Sequence, residues 1–202
     1  TSGSDSAMLD NTLEFLVMNG LPLPLAVMMT IPEPWINNQA MNQERKDFYQ
    51  YYATMMEPWD GPASILFSDG DIMGAVLDRN GLRPSRYYVT KDDYLILSSE
   101  VGVLPIDESR ILSKDRLKPG KMLLVDTVAG RLIDDDELKT AYATKQPYGE
   151  WLDKNLVHLH DLKIPNKRVP NHTKEERAKL QKAFGYSYED LKTSILPMAL
   201  NG

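Results

Sequence analysis

Asp5 is the side chain that the sequence places best for chemistry. It lies in the run Ser4-Asp5-Ser6-Ala7, at the start of a helix predicted over residues 4–20. Backbone N–H groups stabilise a carboxylate at such a position, and Ser4, Asp5 or Ser6 could each serve as the N-cap. The same carboxylate could bind the ammonium group of a ligand. From spacing alone, a cap is the favoured interpretation.

Three other groups of residues offer weaker chemistry. Thr1 could act as a nucleophile activated by its own α-amine, but the flexible run Ser2-Gly3-Ser4 that follows argues against it. His158 and His160 could ligate a metal ion, yet no further ligands stand at a suitable spacing. The acidic run at 134–137 is typical of the first turn of a helix. We therefore predict no catalytic residue and no metal site in this chain.

The composition excludes several classes of function. The 202 residues, 42% of them hydrophobic, fit one globular domain or one domain with an extension. With no cysteine, disulfides and a cysteine nucleophile are excluded within these residues. A net charge of −6 disfavours nucleic acid as a partner, and no apolar run is long enough to span a membrane. The chain begins without Met or a signal pattern, so we expect an interior piece of a longer protein.

Helices are predicted in the first third of the chain. Leu9, Leu13 and Leu16 share one helical face, and Gly20 stands where a helix C-terminus is expected. The prolines between residues 21 and 40 allow only a short helix near 26–30. A further amphipathic helix is predicted over 41–56.

Strand patterns begin after Pro62. Asn80-Gly81 predicts a two-residue hairpin, because a type I′ turn needs positive φ at both positions. A second hairpin is predicted around Ala129-Gly130, followed by a helix over 134–143. The predicted strands cover residues 64–68, 72–77, 86–90, 94–98, 122–125 and 131–133.

The C-terminal part differs in character. Residues 145–172 are polar and proline-containing, which predicts an irregular linker. Residues 173–199 predict a helical pair, in which Thr173 and Glu176 form a capping box and Gly185 ends the first helix. The second helix begins Ser187-Tyr188-Glu189-Asp190, and this acidic start argues against a DNA-reading helix-turn-helix.

Several motifs, in this order, resemble those of class II glutamine amidotransferases. The segment 4–7 is similar to the one whose aspartate binds the α-ammonium of glutamine, although many members have Glu where this chain has Ala7. Residues 74–84, which end in Asp78-Arg79-Asn80-Gly81-Leu82-Arg83-Pro84, resemble a strand-turn-strand of the same superfamily. Ser98-Ser99-Glu100 and Leu117-Lys118-Pro119-Gly120 resemble the segments that follow.

The C-terminal third resembles glutamate synthases within this superfamily. The similar segments are Pro147-Tyr148-Gly149-Glu150-Trp151, Phe184-Gly185-Tyr186 and Pro197-Met198-Ala199. The resemblance implies that 1–144 form the C-terminal half of a glutaminase domain, 145–172 a linker and 173–202 the helical start of a central domain. It also implies an α+β fold, part of a four-layer αββα N-terminal-nucleophile hydrolase sandwich with antiparallel sheets.

The resemblance further implies how the parent enzyme works. An N-terminal cysteine attacks glutamine, an Asn-Gly pair forms the oxyanion hole and an arginine binds the substrate carboxylate. These groups are expected outside the present residues, so the chain alone is predicted to be inactive. Asp5 is expected to bind L-glutamine. Asn80, Gly81 and Arg83 are expected to support the site, with Arg83 holding a carbonyl or carboxylate at a sheet edge.

The resemblance assigns cofactors and partners to the rest of the protein. Released ammonia would be channelled to aminate 2-oxoglutarate, with FMN and an iron–sulfur cluster in other domains and no cofactor in this segment. The expected partners are the remaining half of the glutaminase domain and the synthase domain. The expected location is the cytoplasm, or a plastid in a photosynthetic eukaryote, and the electron donor could be a nicotinamide or ferredoxin.

Two alternatives stay open at this point. Phosphoribosylpyrophosphate amidotransferases have a motif very similar to residues 78–84, so the chain could be a fragment of such a glutaminase. It could also be a non-catalytic binding module without the nucleophilic half.

Overall fold

The computed structural model describes residues 3–163 and 170–201. The chain divides into two compact units, Thr1–Leu156 and Val157–Gly202. Within the described residues, no helix combines the length and the apolar character needed to cross a bilayer.

Three helices open the first unit: α1 (Asp5–Met18), α2 (Leu23–Thr30) and α3 (Gln43–Ala53). Each lies where the sequence predicts one. Helix α2 begins earlier than expected because a proline is tolerated in the first helical turn, and Pro24 stands there. Its residues from Pro24 to Thr30 are all buried, which explains why it lacks an amphipathic pattern.

Seven strands follow in the described part of the first unit, and they form two antiparallel sheets. The first sheet has the order β1-β2-β6-β7 and the second the order β4-β3-β5. The strands are β1 (Ser64–Ser68), β2 (Ile72–Leu77), β3 (Arg86–Thr90), β4 (Leu95–Ser98), β5 (Ile111–Arg116), β6 (Met122–Asp126) and β7 (Arg131–Ile133). All were predicted except β5, whose sequence Ile-Leu-Ser-Lys-Asp-Arg is polar and largely exposed.

The hairpin predicted at Asn80-Gly81 is wrong. Strands β2 and β3, on either side of it, belong to different sheets. Gly81 has a φ of 59°, but Asn80 is not among the residues with positive φ. The chain therefore crosses between sheets here, and the Asn-Gly pair serves a tighter local turn.

The apolar core has a layered arrangement. Val76, Met122 and Leu124 point from the first sheet into a cluster shared with the helices. Ala75, Leu77 and Leu123 point from the opposite face into a smaller cluster, with Tyr87, Leu95 and Leu97 of the second sheet packed against it. This alternation follows from the period of two in a strand. The first unit thus contains a helical layer and two packed sheets, which confirms an α+β fold with antiparallel sheets.

Two more helices complete the first unit: α4 (Asp135–Ala143) and α5 (Tyr148–Asn155). The irregular course predicted from residue 145 is wrong for α5. Tyr148 is buried and its ring lies 5.5 Å from that of Phe48 on α3. Aromatic packing therefore holds in the core a segment whose polar composition indicated a linker.

The regular elements described in the second unit are all helical. A 3-10 turn at Leu159–Asp161 precedes α6 (Lys174–Ala183), which has the predicted Thr173–Glu176 capping box. Gly185, with a φ of 74°, follows this helix. A π-helical stretch, Asp190–Ile195, then leads into α7 (Leu196–Asn201). Residues 164–169 of the predicted linker lie outside the described residues.

Candidate functional site and family

Asp5 is not the residue that caps helix α1. Ser4 is the N-cap of α1, and its Oγ accepts a hydrogen bond from the Ala7 N–H at 3.4 Å. Asp5 is the first residue of the helix and is exposed. Its carboxylate accepts no hydrogen bond from the described residues. The helix N-terminus favours a negative charge there, so this carboxylate is available to a cationic group.

Asp78 organises the turn that contains Asn80 and Gly81. Its side chain accepts hydrogen bonds from the backbone N–H groups of Ala63, Asn80 and Gly81, at 3.0, 2.9 and 3.2 Å. Its own carbonyl accepts from the Gly120 N–H at 3.2 Å. Asp78 is only 3% exposed, and its carboxylate and backbone carbonyl together join three chain segments. Sequence reasoning treated Asn80 and Gly81 as the supporting residues and missed Asp78.

Gly81 and Arg83 have different surroundings. A Cβ on Gly81 would lie 2.5 Å from Pro119 Cγ, so this position requires glycine. Arg83 is exposed, and its guanidinium forms no hydrogen bond or ion pair within the described ranges. It lines a cavity of about 200 Å³ with Arg86 and Arg116. Asp5 lines neither this cavity nor the one beside Asn80.

A buried ionic network, which sequence reasoning missed, lies between α3, α4 and the loop after α2. Lys139 Nζ donates to the Gly120 carbonyl at 2.7 Å and lies 2.9 Å from Asp135 Oδ1 and 3.2 Å from Glu33 Oε2. Asp135 also accepts from Lys121 Nζ at 2.7 Å and from the Met122 N–H at 2.8 Å. In the sequence, the only feature that pointed to this network is the i,i+4 spacing of Asp135 and Lys139.

Glu33 shifts the pKa of its neighbour. The Tyr49 hydroxyl donates to Glu33 Oε1 at 3.0 Å. Burial, and then the negative charge of Glu33, raise the pKa of Tyr49 well above its ordinary value. This phenol therefore stays neutral and is a hydrogen-bond donor within the network.

Arg45 extends the network to the surface. Burial lowers the pKa of Arg45, but its hydrogen bond to Asp136 and the charge of Glu33 outweigh this effect and raise it. The hydrogen bond to Arg45, at 2.7 Å, lowers the pKa of Asp136. The four acidic residues at 134–137 therefore have different roles. Asp134 caps α4, Asp135 faces the network, and Asp136 and Glu137 form ion pairs at the surface.

The paired histidines lie in the second unit. The rings of His158 and His160 are stacked at 5.3 Å, and His160 Nε2 lies 3.4 Å from Asp161. Across the described residues, no group of three His, Cys, Asp or Glu side chains is arranged to hold a metal ion. Thr1 lies outside the described residues.

Residues 1–151 match the family model of glutamine amidotransferases, class II. The chain belongs to this family. It is 50% identical over 200 residues to the glutamate synthase [NADPH] large chain of Bacillus subtilis, and 44% identical over 209 residues to the glutamate synthase [NADH] of Schizosaccharomyces pombe. A ferredoxin-dependent glutamate synthase of Arabidopsis thaliana is 43% identical over 203 residues.

These alignments cover 99% of this amidotransferase chain, but 13%, 10% and 12% of the three relatives, respectively. The chain therefore spans only between 10% and 13% of the length of these three relatives. The similarity to glutamate synthases inferred from the motifs is confirmed. It continues beyond residue 151, where the family match ends.

Proposed function

We propose that this chain is part of the glutaminase domain of a glutamate synthase, together with the segment that follows that domain. The observation that carries the proposal is the 50% identity to a glutamate synthase over 99% of the chain. A phosphoribosylpyrophosphate amidotransferase would share the amidotransferase motifs but not the similarity that continues beyond residue 151. A non-catalytic binding module has no comparable support.

The proposed reaction is hydrolysis of L-glutamine to glutamate and ammonia by the longer protein. The cysteine nucleophile would come from a segment outside these 202 residues, which contain no cysteine. The ammonia would be channelled to aminate 2-oxoglutarate. The helical layer and two sheets seen here would be completed by a further layer into the four-layer αββα sandwich.

Asp5 is the proposed ligand of the glutamine α-ammonium. Its support is an exposed carboxylate at a helix N-terminus, with Ser4 already serving as the cap. Asn80 and Gly81 would act indirectly through the Asp78 turn. Orientation of the substrate by a fixed charge would place the carboxamide for attack.

The cofactors of the longer protein would bind elsewhere. An iron–sulfur cluster requires cysteine ligands for most of its irons, and this chain has none, so its residues do not fit a cluster. We assign FMN, the cluster and the electron donor, whether a nicotinamide or ferredoxin, to the rest of the protein.

The substitution Asp5→Asn in the complete enzyme tests the proposal. It removes the charge and leaves the Ser4 cap in place, so thermal stability should change little. Loss of a charge pair with the ammonium should lower kcat/KM for glutamine about a hundredfold. Turnover with free ammonia should be retained, since that reaction bypasses glutamine.

Asp10→Asn is the matched control, because Asp10 is an exposed carboxylate on the same helix. Its glutamine kinetics should equal those of the unmodified enzyme. Unchanged glutamine kinetics in the Asp5→Asn enzyme would exclude Asp5 as the ammonium ligand.

A further inference from the structure

Three arginines converge on one cavity beside the Asp78 turn. Arg83, Arg86 and Arg116 line a space of about 200 Å³, which Gly81 and Pro119 border on one side. Known pockets for drug-sized ligands measure roughly 300–1,000 Å³. A ligand of this cavity would therefore be small.

Two of these arginines stand directly opposite each other in the second sheet. Arg86 on β3 is paired in register with Arg116 on β5, so their side chains leave the same face of the sheet with Cβ atoms about 5 Å apart. Like charges in such a pair destabilise a sheet. An anion bound between the two guanidinium groups would replace this repulsion with attraction.

No partner within the described residues neutralises these guanidinium groups. Arg83, Arg86 and Arg116 form no side-chain hydrogen bond or ion pair there, whereas Arg79, Arg110 and Arg131 each pair with a carboxylate. The carboxylate next to Arg116 in sequence, Asp115, lies opposite Tyr87 on the other face of the sheet. It accepts the backbone N–H of Arg116 at 2.7 Å, and it lines a second cavity that Arg116 also borders. Within the part of the chain that the structure describes, the positive charges of the three arginines are therefore unpaired.

Ser85, which precedes Arg86, also borders the cavity. Only 4% of this residue is exposed, and its Oγ has no hydrogen-bond partner among the described residues. Its backbone carbonyl, by contrast, accepts from the Leu117 N–H at 2.9 Å. That bond continues the pairing of β3 with β5, so the Ser85 side chain leaves the sheet on the face opposite to Arg86 and Arg116. Its hydroxyl therefore does not belong with their guanidinium groups.

We propose that Arg83, Arg86 and Arg116 form a binding site for a small dianion, either phosphate or a short dicarboxylate. The guanidinium group matches both ligands, because its planar N–H pairs bind two oxygens at once. Asp5 takes no part in this site, which is independent of the proposed glutaminase reaction.

Isothermal titration with inorganic phosphate, and separately with succinate, tests the site. One saturable site is expected for at least one of the two probes. The double variant Arg86→Gln/Arg116→Gln should weaken binding by more than about tenfold, because hydrogen bonds to charged groups are lost. The control Arg110→Gln/Arg131→Gln loses the same net charge elsewhere and should bind within about twofold of the unmodified chain.

Circular dichroism of each variant in anion-free buffer establishes that it is folded. Binding of phosphate alone or of succinate alone identifies which dianion the site takes. Absence of saturable binding to both, or equal weakening in the two double variants, would overturn the proposal. The same titrations in the longer protein should retain binding. Loss of binding there would mean that an acidic segment of that protein occupies the arginines, which also overturns it.

Discussion

Lys139 and Glu33 form a buried ion pair, with Lys139 Nζ 3.2 Å from Glu33 Oε2 and side-chain exposures of 2% and 10%. The ammonium group has two further acceptors, Asp135 Oδ1 and the Gly120 carbonyl. The pair therefore connects the loop after α2, the turn before β6 and helix α4. These three segments are remote in sequence, and the lysine ties them together in the fold.

Lys139→Met should destabilise the chain strongly. Removing one partner of a buried ion pair leaves an uncompensated charge, which costs about 3–5 kcal/mol. Glu33 and Asp135 keep other hydrogen-bond donors, Tyr49 and Lys121, so we expect the lower end of that range. Urea unfolding measures the change. The control Lys154→Met, at an exposed lysine, should change the free energy of unfolding by less than about 0.5 kcal/mol. Equal changes in Lys139→Met and Lys154→Met would mean that the network adds no stability.

Tyr49 should make the fold sensitive to alkaline pH. Its pKa is raised in the folded chain relative to the ordinary value of 10.0, so its stabilising contribution is complete below pH 10 and decreases as the pH rises further. The free energy of unfolding should fall by up to roughly 1.4 kcal/mol per pH unit for this one group.

Tyr49→Phe should therefore show a shallower loss of stability above pH 10. At neutral pH it should be less stable by about 1–2 kcal/mol, because the hydrogen bond to Glu33 is lost. Denaturant unfolding at several pH values provides the comparison. Tyr94→Phe, at an exposed tyrosine, should keep the slope of the unmodified chain, and an unchanged slope in Tyr49→Phe would refute the role assigned to this phenol.

Gly81→Ala should lower the free energy of unfolding by more than the backbone strain of a positive φ alone would. Gly81 and Gly130 have similar φ values of 59° and 64°, and alanine in this region costs about 1–2 kcal/mol. Only at Gly81 would the added Cβ meet Pro119, since nothing lies within 4 Å at Gly130. The clash should add about 1–3 kcal/mol. Thermal unfolding of Gly81→Ala and Gly130→Ala measures the clash as the difference between their losses of stability. Equal losses in the two variants would show that the turn relaxes around the added Cβ.

The 202-residue chain by itself should release no ammonia from glutamine. It contains no cysteine, and we assign the nucleophile to another segment of the longer protein. A coupled assay for ammonia measures this, with the complete enzyme as the positive control. Turnover by the chain that disappears in Thr1→Ala would instead identify an N-terminal threonine nucleophile.

The predicted elements were most accurate where local sequence and tertiary environment agree. Helix α1 and strands β1 and β2 carry clear apolar periods, and the structure contains them. Strand β5 could not be found in this way, because its polar residues are held by pairing with β3 and not by burial. Helix α5 was missed for a related reason: Tyr148 is anchored by aromatic side chains of α3 that are about 100 residues away in sequence.

The sequence by itself determined the family, most of the secondary structure and Asp5 as the candidate ligand of glutamine, because these depend on ordered local motifs. Only the tertiary structure decided that Ser4 caps α1, that Asp78 organises the Asn80-Gly81 turn, and that Arg86 faces Arg116. It also revealed the network around Lys139. Hydrogen bonds and charge pairs between distant segments depend on how sheets and helices are brought together, and no local pattern of residue types specifies those distances.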